Sequence, residues 1–268
     1  MKMEFEKMIL EKEGGMATLT LNHPEKLNAI TTEMWHDLPR VIDTVKKDEE
    51  LNVLVITGTG RGFCSGSDVS GRLAVRMEGK GPKSTQTELL EGVGPVAGLI
   101  RDLDKIIIAA INGTAAGAGL SLALLSDIRI ASETARFGAV WVKVGLIGDL
   151  GATYLLPRII GPDKALEMLT TGDMISAQEA ERIGLVTRVV PPDELMPTVK
   201  ELATKLAKGP GLSIKFTKKA VCKGLQHNDL LTQLDYESFA QGVCRQSEDH
   251  REGVKAFMEK RAPQFKGI

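Results

Sequence analysis

Residues 106 to 153 read IIIAAINGTAAGAGLSLALLSDIRIASETARFGAVWVKVGLIGDLGAT, and the fold turns on this stretch. It opens with Ile106-Ile107-Ile108, apolar and β-branched, the composition of a buried strand. Asn112-Gly113 is a turn signal. Gly117-Ala118-Gly119 then runs directly into Leu120-Ser121-Leu122-Ala123-Leu124-Leu125, which is apolar almost all round and as a helix must be buried. A helix whose first turn is Gly-Ala-Gly presents backbone N–H groups with almost no side chain in front of them, and such a terminus attracts negative charge. Small residues also let two backbones pack closely, so taken alone the stretch leaves both roles open. Ile128 to Ile130 reads as a further short strand.

Outward toward the N-terminus, Ala17 to Leu21 alternates as a half-buried strand does, and Asn22 to Lys26 is a turn. Thr31 or Thr32 caps a helix whose apolar face is Met34, Leu38, Val41, Ile42 and Val45, with Pro39 inside it to kink or break it. Val53 to Thr57 is a second strand, continuous enough to be buried on both faces. Gly71 to Thr87 is charged, glycine-bearing and aperiodic. It reads as a loop that walls or covers a pocket and leads into a helix between Leu89 and Leu103.

Toward the C-terminus, Asp163 to Leu169 reads as helix. Ser176-Ala177-Gln178-Glu179 is a capping box for a helix that stops at Gly184, and Val186 to Val190 is a strand. Pro191-Pro192 marks a boundary. Beyond it the pattern is helical, with stripes at Leu202 and Leu206, at Leu230, Leu234, Phe239 and Val243, and at Val254, Phe257 and Met258 that read as core or helix packing. The division is therefore an α/β core over residues 1–190 and a helical region over 191–268.

Length and composition narrow the function classes. At 268 residues the chain can bury a sizeable core. With 34 basic against 35 acidic residues it carries no global field for nucleic acid. No run is long and apolar enough for a bilayer, and the charged first residues do not read as a secretory leader. Cys64, Cys222 and Cys244 have neither metal nor redox spacing, and an odd count fits a reducing, cytoplasmic setting. The four histidines are scattered, so no metal site is expected.

Set beside Gly58 to Asp68 (GTGRGFCSGSD), the central stretch resembles the enoyl-CoA hydratase/isomerase (crotonase) superfamily. The family's G-x-x-x-x-F-C-x-G-x-D loop falls on Gly58 to Asp68. Its N-G-x-A-x-G-x-G-x-x-L-A-L-x-x-D-x-R-I-A run falls on Asn112 to Ala131, and its F-G and L-P-R-x-x-G segments on Phe137-Gly138 through Gly161. The likeness continues through Gly184-Leu185-Val186 to Glu259-Lys260-Arg261 and covers nearly the whole chain. It implies an α/β spiral of ββα units with a C-terminal helical region, assembled as a homotrimer or homohexamer. It also implies an acyl-CoA substrate, with coenzyme A part of that substrate and no separate cofactor. By position the thioester carbonyl would sit between the backbone N–H groups of Ser67, in the turn that Gly66 begins, and Ala118, in the turn that Gly117 begins. Two donors there hold the charge of a thioester enolate without adding a group that titrates. Lys26, Leu27 and Ala29 match the coenzyme A segment, Lys260 a position near its phosphates across a subunit boundary, and Phe257 its adenine end.

Two departures bear on the reaction. Family hydratases carry two glutamates that position water and move protons. At those positions this chain has Ser121 and Trp141, neither of which replaces a carboxylate as a base near neutral pH. Asp149 remains, where the aspartate-using dienoyl-CoA isomerases and the ring-opening isomerase of phenylacetate breakdown have theirs. The expected activity is a double-bond shift by Asp149-mediated proton transfer, with Trp141 lining the acyl pocket. Hydration with one carboxylate, nucleophilic dehalogenation or hydrolysis, which a Trp141–Asp149 pair also resembles, and a non-catalytic acyl-CoA-binding homologue stay open beside it.

Overall fold

A computed structural model describes residues 2–68, 94–226 and 229–267. The loop expected at Gly71 to Thr87 lies outside these residues. The helix expected after it is present as Gly94–Asp102.

The chain winds as a stack of layers. A seven-stranded sheet carries, in spatial order, β1 (Lys2–Phe5), β2 (Met8–Glu13), β3 (Met16–Leu21), β4 (Val53–Gly58), β6 (Ile106–Ile111), β8 (Ile128–Ser132) and β11 (Arg188–Val190). From β3 onward each neighbouring pair is parallel. A second sheet holds β5 (Gly62–Cys64), β7 (Thr114–Ala116) and β9 (Arg136–Gly138), mutually parallel, with β10 (Met174–Ser176) antiparallel at the edge. Each unit sends one strand into the large sheet, turns a corner, and sends a short strand into the small one. A helix then returns the chain: α2 (Gly94–Asp102) after β5 and α3 (Ala118–Leu125) after β7. This is the repeated ββα spiral.

The sequence dictates the layering. Val53, Val55, Ile108, Ala110 and Ile130 point to one face of the large sheet, and Leu54, Ile56, Ile107, Ala109 and Ile111 to the other. Both faces are buried, which is why these strands read as continuous apolar runs. The first face is covered by Leu195, Val199 and Ala203 of the helix Leu195–Ala207. That buried face differs from the Leu202–Leu206 stripe expected from sequence; those two leucines sit at its margin. The second face packs against α1 (Thr32–Lys47), α2, α3 and the small sheet. Thr31 caps α1 by accepting from the Met34 N–H at 3.3 Å, and α1 continues through Pro39 without a break.

The corners are stacked on one another through asparagines. Asn112 accepts from the Gly58 N–H at 3.1 Å and donates to the Gly60 and Gly62 carbonyls at 2.9 and 3.0 Å. Asn28, fully buried, accepts from the His23 N–H at 2.8 Å and donates to the Thr59 and Gly62 carbonyls at 3.0 and 2.7 Å. A buried amide with such partners fixes the corner rather than leaving polar atoms stranded.

Of the last helices, Gly211–Gly224 meets the strand layer where buried Lys218 donates to the Lys105 carbonyl at 2.8 Å and pairs with Asp127 at 2.7 Å, and Leu230–Cys244 and Glu248–Glu259 follow it. The expected stripes there are not core in this chain. Leu230, Leu234, Phe239, Val254, Phe257 and Met258 are exposed. The final residues are clasped back by Asp249, whose carboxylate accepts from the Lys266 and Gly267 N–H groups, and by a bidentate Glu252–Arg261 pair at 2.6 and 2.9 Å.

Candidate active site

The three parallel strands of the small sheet end side by side, and each feeds one part of the site. This is the carboxyl-end placement expected of ligand sites on parallel sheets. After β5 come Gly66 and Ser67, after β7 come Gly117 and Ala118, and after β9 comes the short 3-10 segment Val140–Val144, which carries Trp141.

The backbone approaches are close enough to need glycine. A Cβ at Gly119 would overlap the carbonyl of Cys64, so only glycine lets α3 start against β5. Gly66 has φ +119°, and a Cβ there would lie 3.3 Å from the Ala116 carbonyl and 3.8 Å from the Ala118 nitrogen. The Gly66–Ser67 turn and the start of α3 therefore abut. A parallel bridge sets the turn: the Ile30 N–H donates to Gly66 at 2.8 Å, and the Asp68 N–H to Ile30 at 2.8 Å. That pattern uses the Gly66 carbonyl and the Asp68 N–H and leaves the Ser67 N–H outside the bridge. The Ala118 N–H, first in its helix, has no intrahelical acceptor. Among the described residues neither amide has a hydrogen-bond partner. Two free donors from adjacent turns are what a developing oxyanion requires.

Asp149 lies on the segment between the Trp141 turn and the helix Ala152–Ile160. The Trp141 indole Nε1–H donates to Asp149 Oδ1 at 3.1 Å, and the buried Ser121 hydroxyl donates to the Asp149 main-chain oxygen at 3.0 Å. Leu150, next in line, has φ +50°, a conformation uncommon for a bulky residue. Burial pushes the Asp149 carboxyl up from the ordinary carboxylate range, against a smaller opposing pull from the indole donor. Such a perturbed carboxyl fits general acid–base work. Cys64, fully buried beneath the Gly66 turn, has its thiol pushed up to about 12 by burial and so carries no nucleophilic thiolate at neutral pH.

The structure brings Gly66, Ser67, Gly117, Ala118, Trp141 and Asp149 into one region, and Ser121 joins them. Leu27 and Ala29 border the same turn: the Ser65 N–H donates to the Leu27 carbonyl at 3.0 Å. Lys26 is held there by an ion pair with Asp68 at 2.7 Å, its side chain about half exposed. Phe257 and Lys260 are on and just beyond the last helix, 85% exposed in the case of Phe257, and this chain does not bring them to the Asp149 region through any described contact. The role of Ser121 as a donor to Asp149 was not visible in the sequence, where it marked only a missing carboxylate. A cavity of about 610 Å³ lies elsewhere, between Arg101, Arg158, Leu155 and Lys218, and does not include Asp149. No group of residues suited to hold a metal ion is found among the described residues.

The enoyl-CoA hydratase/isomerase family model matches residues 11–268. The chain is 40% identical, over 99% of its length and 99% of the relative, to the 1,2-epoxyphenylacetyl-CoA isomerase of Escherichia coli (strain K12). It is 41% identical, over 96% of its length and 98% of the relative, to the (E)-benzylidenesuccinyl-CoA hydratase of Thauera aromatica. In structure it is similar to an enoyl-CoA hydratase from Bacillus anthracis, with a TM-score of 0.89 at 31% identity, covering 98% of this chain and 100% of that one.

Proposed function

This chain belongs to the enoyl-CoA hydratase/isomerase family, and from that membership we propose that it is an acyl-CoA isomerase with Asp149 as its proton-transfer group. The observation that carries this reading is the Trp141–Asp149 hydrogen bond at 3.1 Å beside two free backbone amides, in a chain whose two hydratase glutamate positions are Ser121 and Trp141.

The thioester carbonyl oxygen is taken between the Ser67 and Ala118 N–H groups. The Asp149 carboxylate removes a proton from the saturated carbon that lies α to that carbonyl, or vinylogous to it across the double bond. The electron pair left behind delocalises onto the oxygen as an enolate, whose charge the two amides hold. The protonated Asp149 then returns the proton at a different carbon of the conjugated system, the electron pair collapses back, and the double bond has moved. No atom is gained or lost and no cofactor is consumed. Coenzyme A is recognised as part of the substrate along Lys26, Leu27 and Ala29.

The relatives divide between isomerase and hydratase names. Hydration by the single carboxylate is therefore the second reading. The two relatives above are named for phenylacetyl and benzylidene thioesters, which places aryl-bearing acyl-CoAs beside straight-chain enoyl-CoAs in the test panel. Each thioester is incubated with the protein, followed by ultraviolet absorbance, and the product weighed by mass spectrometry. A product of unchanged mass with a displaced double bond is expected. A product heavier by one water overturns isomerisation in favour of hydration.

A further inference from the structure

The helix Ala118–Leu125 is buried along its whole length, and Ser121 is its one residue with a polar side chain. A serine or threonine inside a helix can turn its hydroxyl back onto the carbonyl four residues earlier, as Thr44 of α1 does toward Arg40 at 2.8 Å. Ser121 instead reaches out of its helix to the main-chain oxygen of Asp149 at 3.0 Å. That oxygen already accepts from the Ala152 N–H at 2.9 Å, so the serine is not needed to satisfy it.

The segment it reaches is one that needs holding. Leu150 at φ +50° and Gly151 at φ +83° follow Asp149, and a bulky residue keeps such a backbone only where its surroundings over-determine it. The Asp149 side chain is pinned separately by the Trp141 indole. Ser121 also sits one helical turn beyond Ala118, its own N–H bonded to the Gly117 carbonyl at 3.1 Å. One rigid turn thus carries both the amide that faces the oxyanion and the hydroxyl that grips the base segment.

We propose that Ser121 is a positioning residue: its hydroxyl fixes the distance and angle between the Asp149 carboxylate and the Ala118 amide, so that proton removal and enolate stabilisation act on the same substrate geometry. This rests on the reading of Asp149 as the base and deepens it. Where the family's hydratases place a carboxylate, this chain uses the same position to hold the carboxylate it has elsewhere.

The test compares wild type, Ser121→Ala, Asp149→Asn and the double variant on a substrate found in the panel above. Alanine favours the helix, and the Asp149 oxygen keeps its Ala152 partner, so Ser121→Ala folds with a melting temperature close to wild type. Its kcat is expected to fall about ten- to a hundred-fold, the scale of a small misplacement of a catalytic group, with KM changed by no more than about two-fold. In the Asp149→Asn background the same substitution adds no further loss, because it acts through Asp149. An unchanged kcat in Ser121→Ala, a loss appearing in KM, or losses that multiply in the double variant each overturn the proposal. If Asp149→Asn is slow and Ser121→Ala is normal, the tether alone fails. If Asp149→Asn turns over like wild type, the base assignment fails and the tether with it.

Discussion

At Asp149 burial and the Trp141 indole pull in opposite directions. Removing the carboxylate from water favours its neutral form and the indole donor favours the ionised one; burial is the larger, so the proton is held above the ordinary carboxylate range. A base must be ionised, so kcat is expected to be flat at high pH and to fall as pH drops through this raised value. Stability runs the other way. The folded state binds this proton more tightly than the unfolded chain, so the group disfavours folding above its raised pKa, and that penalty is relieved as pH falls through it. A kcat–pH profile whose acid limb lies at or below the usual carboxylate value contradicts the buried-base account. Asp149 was legible in the sequence because it coincides with a catalytic position of a recognisable framework. Of its two anchors, Trp141 was already suggested by the resemblance as a partner of Asp149, and Ser121 was not. Ser121 lies 28 residues away in the chain, and no local pattern connects a helix serine to a distant main-chain oxygen. Asn28, between the residues matched to coenzyme A, is the buried bracket that joins His23, Thr59 and Gly62, contacts no local pattern announces.

Among the elements, the strands buried on both faces announced themselves and those of the small sheet did not. Ile106–Ile111 and Val53–Gly58 are apolar on both faces because both faces of the large sheet are covered. The small sheet, by contrast, is made of three-residue strands, too short to show an alternation, yet it is the layer whose ends carry the site. Pro39 illustrates the converse: its sequence signal for a kink or break is overridden by the buried face of α1, and the helix runs on. The Gly117-Ala118-Gly119 start of α3 was read both as a terminus that attracts negative charge and as a close backbone contact, and the structure shows the second at Gly119, against the Cys64 carbonyl. Proline is tolerated in the first position of a helix because the N–H it lacks has no intrahelical partner there. Ala118→Pro therefore removes one proposed oxyanion donor while sparing the helix. Turnover is expected to fall by at least ~10²-fold, the scale of losing one such donor. Near wild-type turnover in a folded Ala118→Pro protein, checked by circular dichroism, would remove Ala118 from the oxyanion hole.

Across the whole molecule, the stacked ββα units explain how residues 30, 67, 118 and 149 meet although they are spread along the chain. The first three corners are pinned together by Asn28 and Asn112, which both bond the Thr59–Gly62 turn, and each small-sheet strand delivers the next turn to the same end of the layer. The spiral was legible only through the family resemblance, since no repeat is visible in the sequence itself and the units share geometry rather than residues. The helical stripes beyond residue 210 were read as core or helix packing, because periodicity reports an apolar face without saying what covers it, and in this chain most of their residues face outward. The proposed base is one carboxylate: the Trp141 indole donates to its side chain and the Ser121 hydroxyl to its main-chain oxygen. The most direct measurement is single-substrate turnover by Asp149→Asn, which keeps the side chain's shape and an oxygen for the Trp141 donor while removing the base. The account predicts acyl-CoA affinity close to wild type and turnover lower by ~10²-fold or more, the range general acid–base catalysis supplies; isomerisation by Asp149→Asn at near the wild-type rate would contradict it.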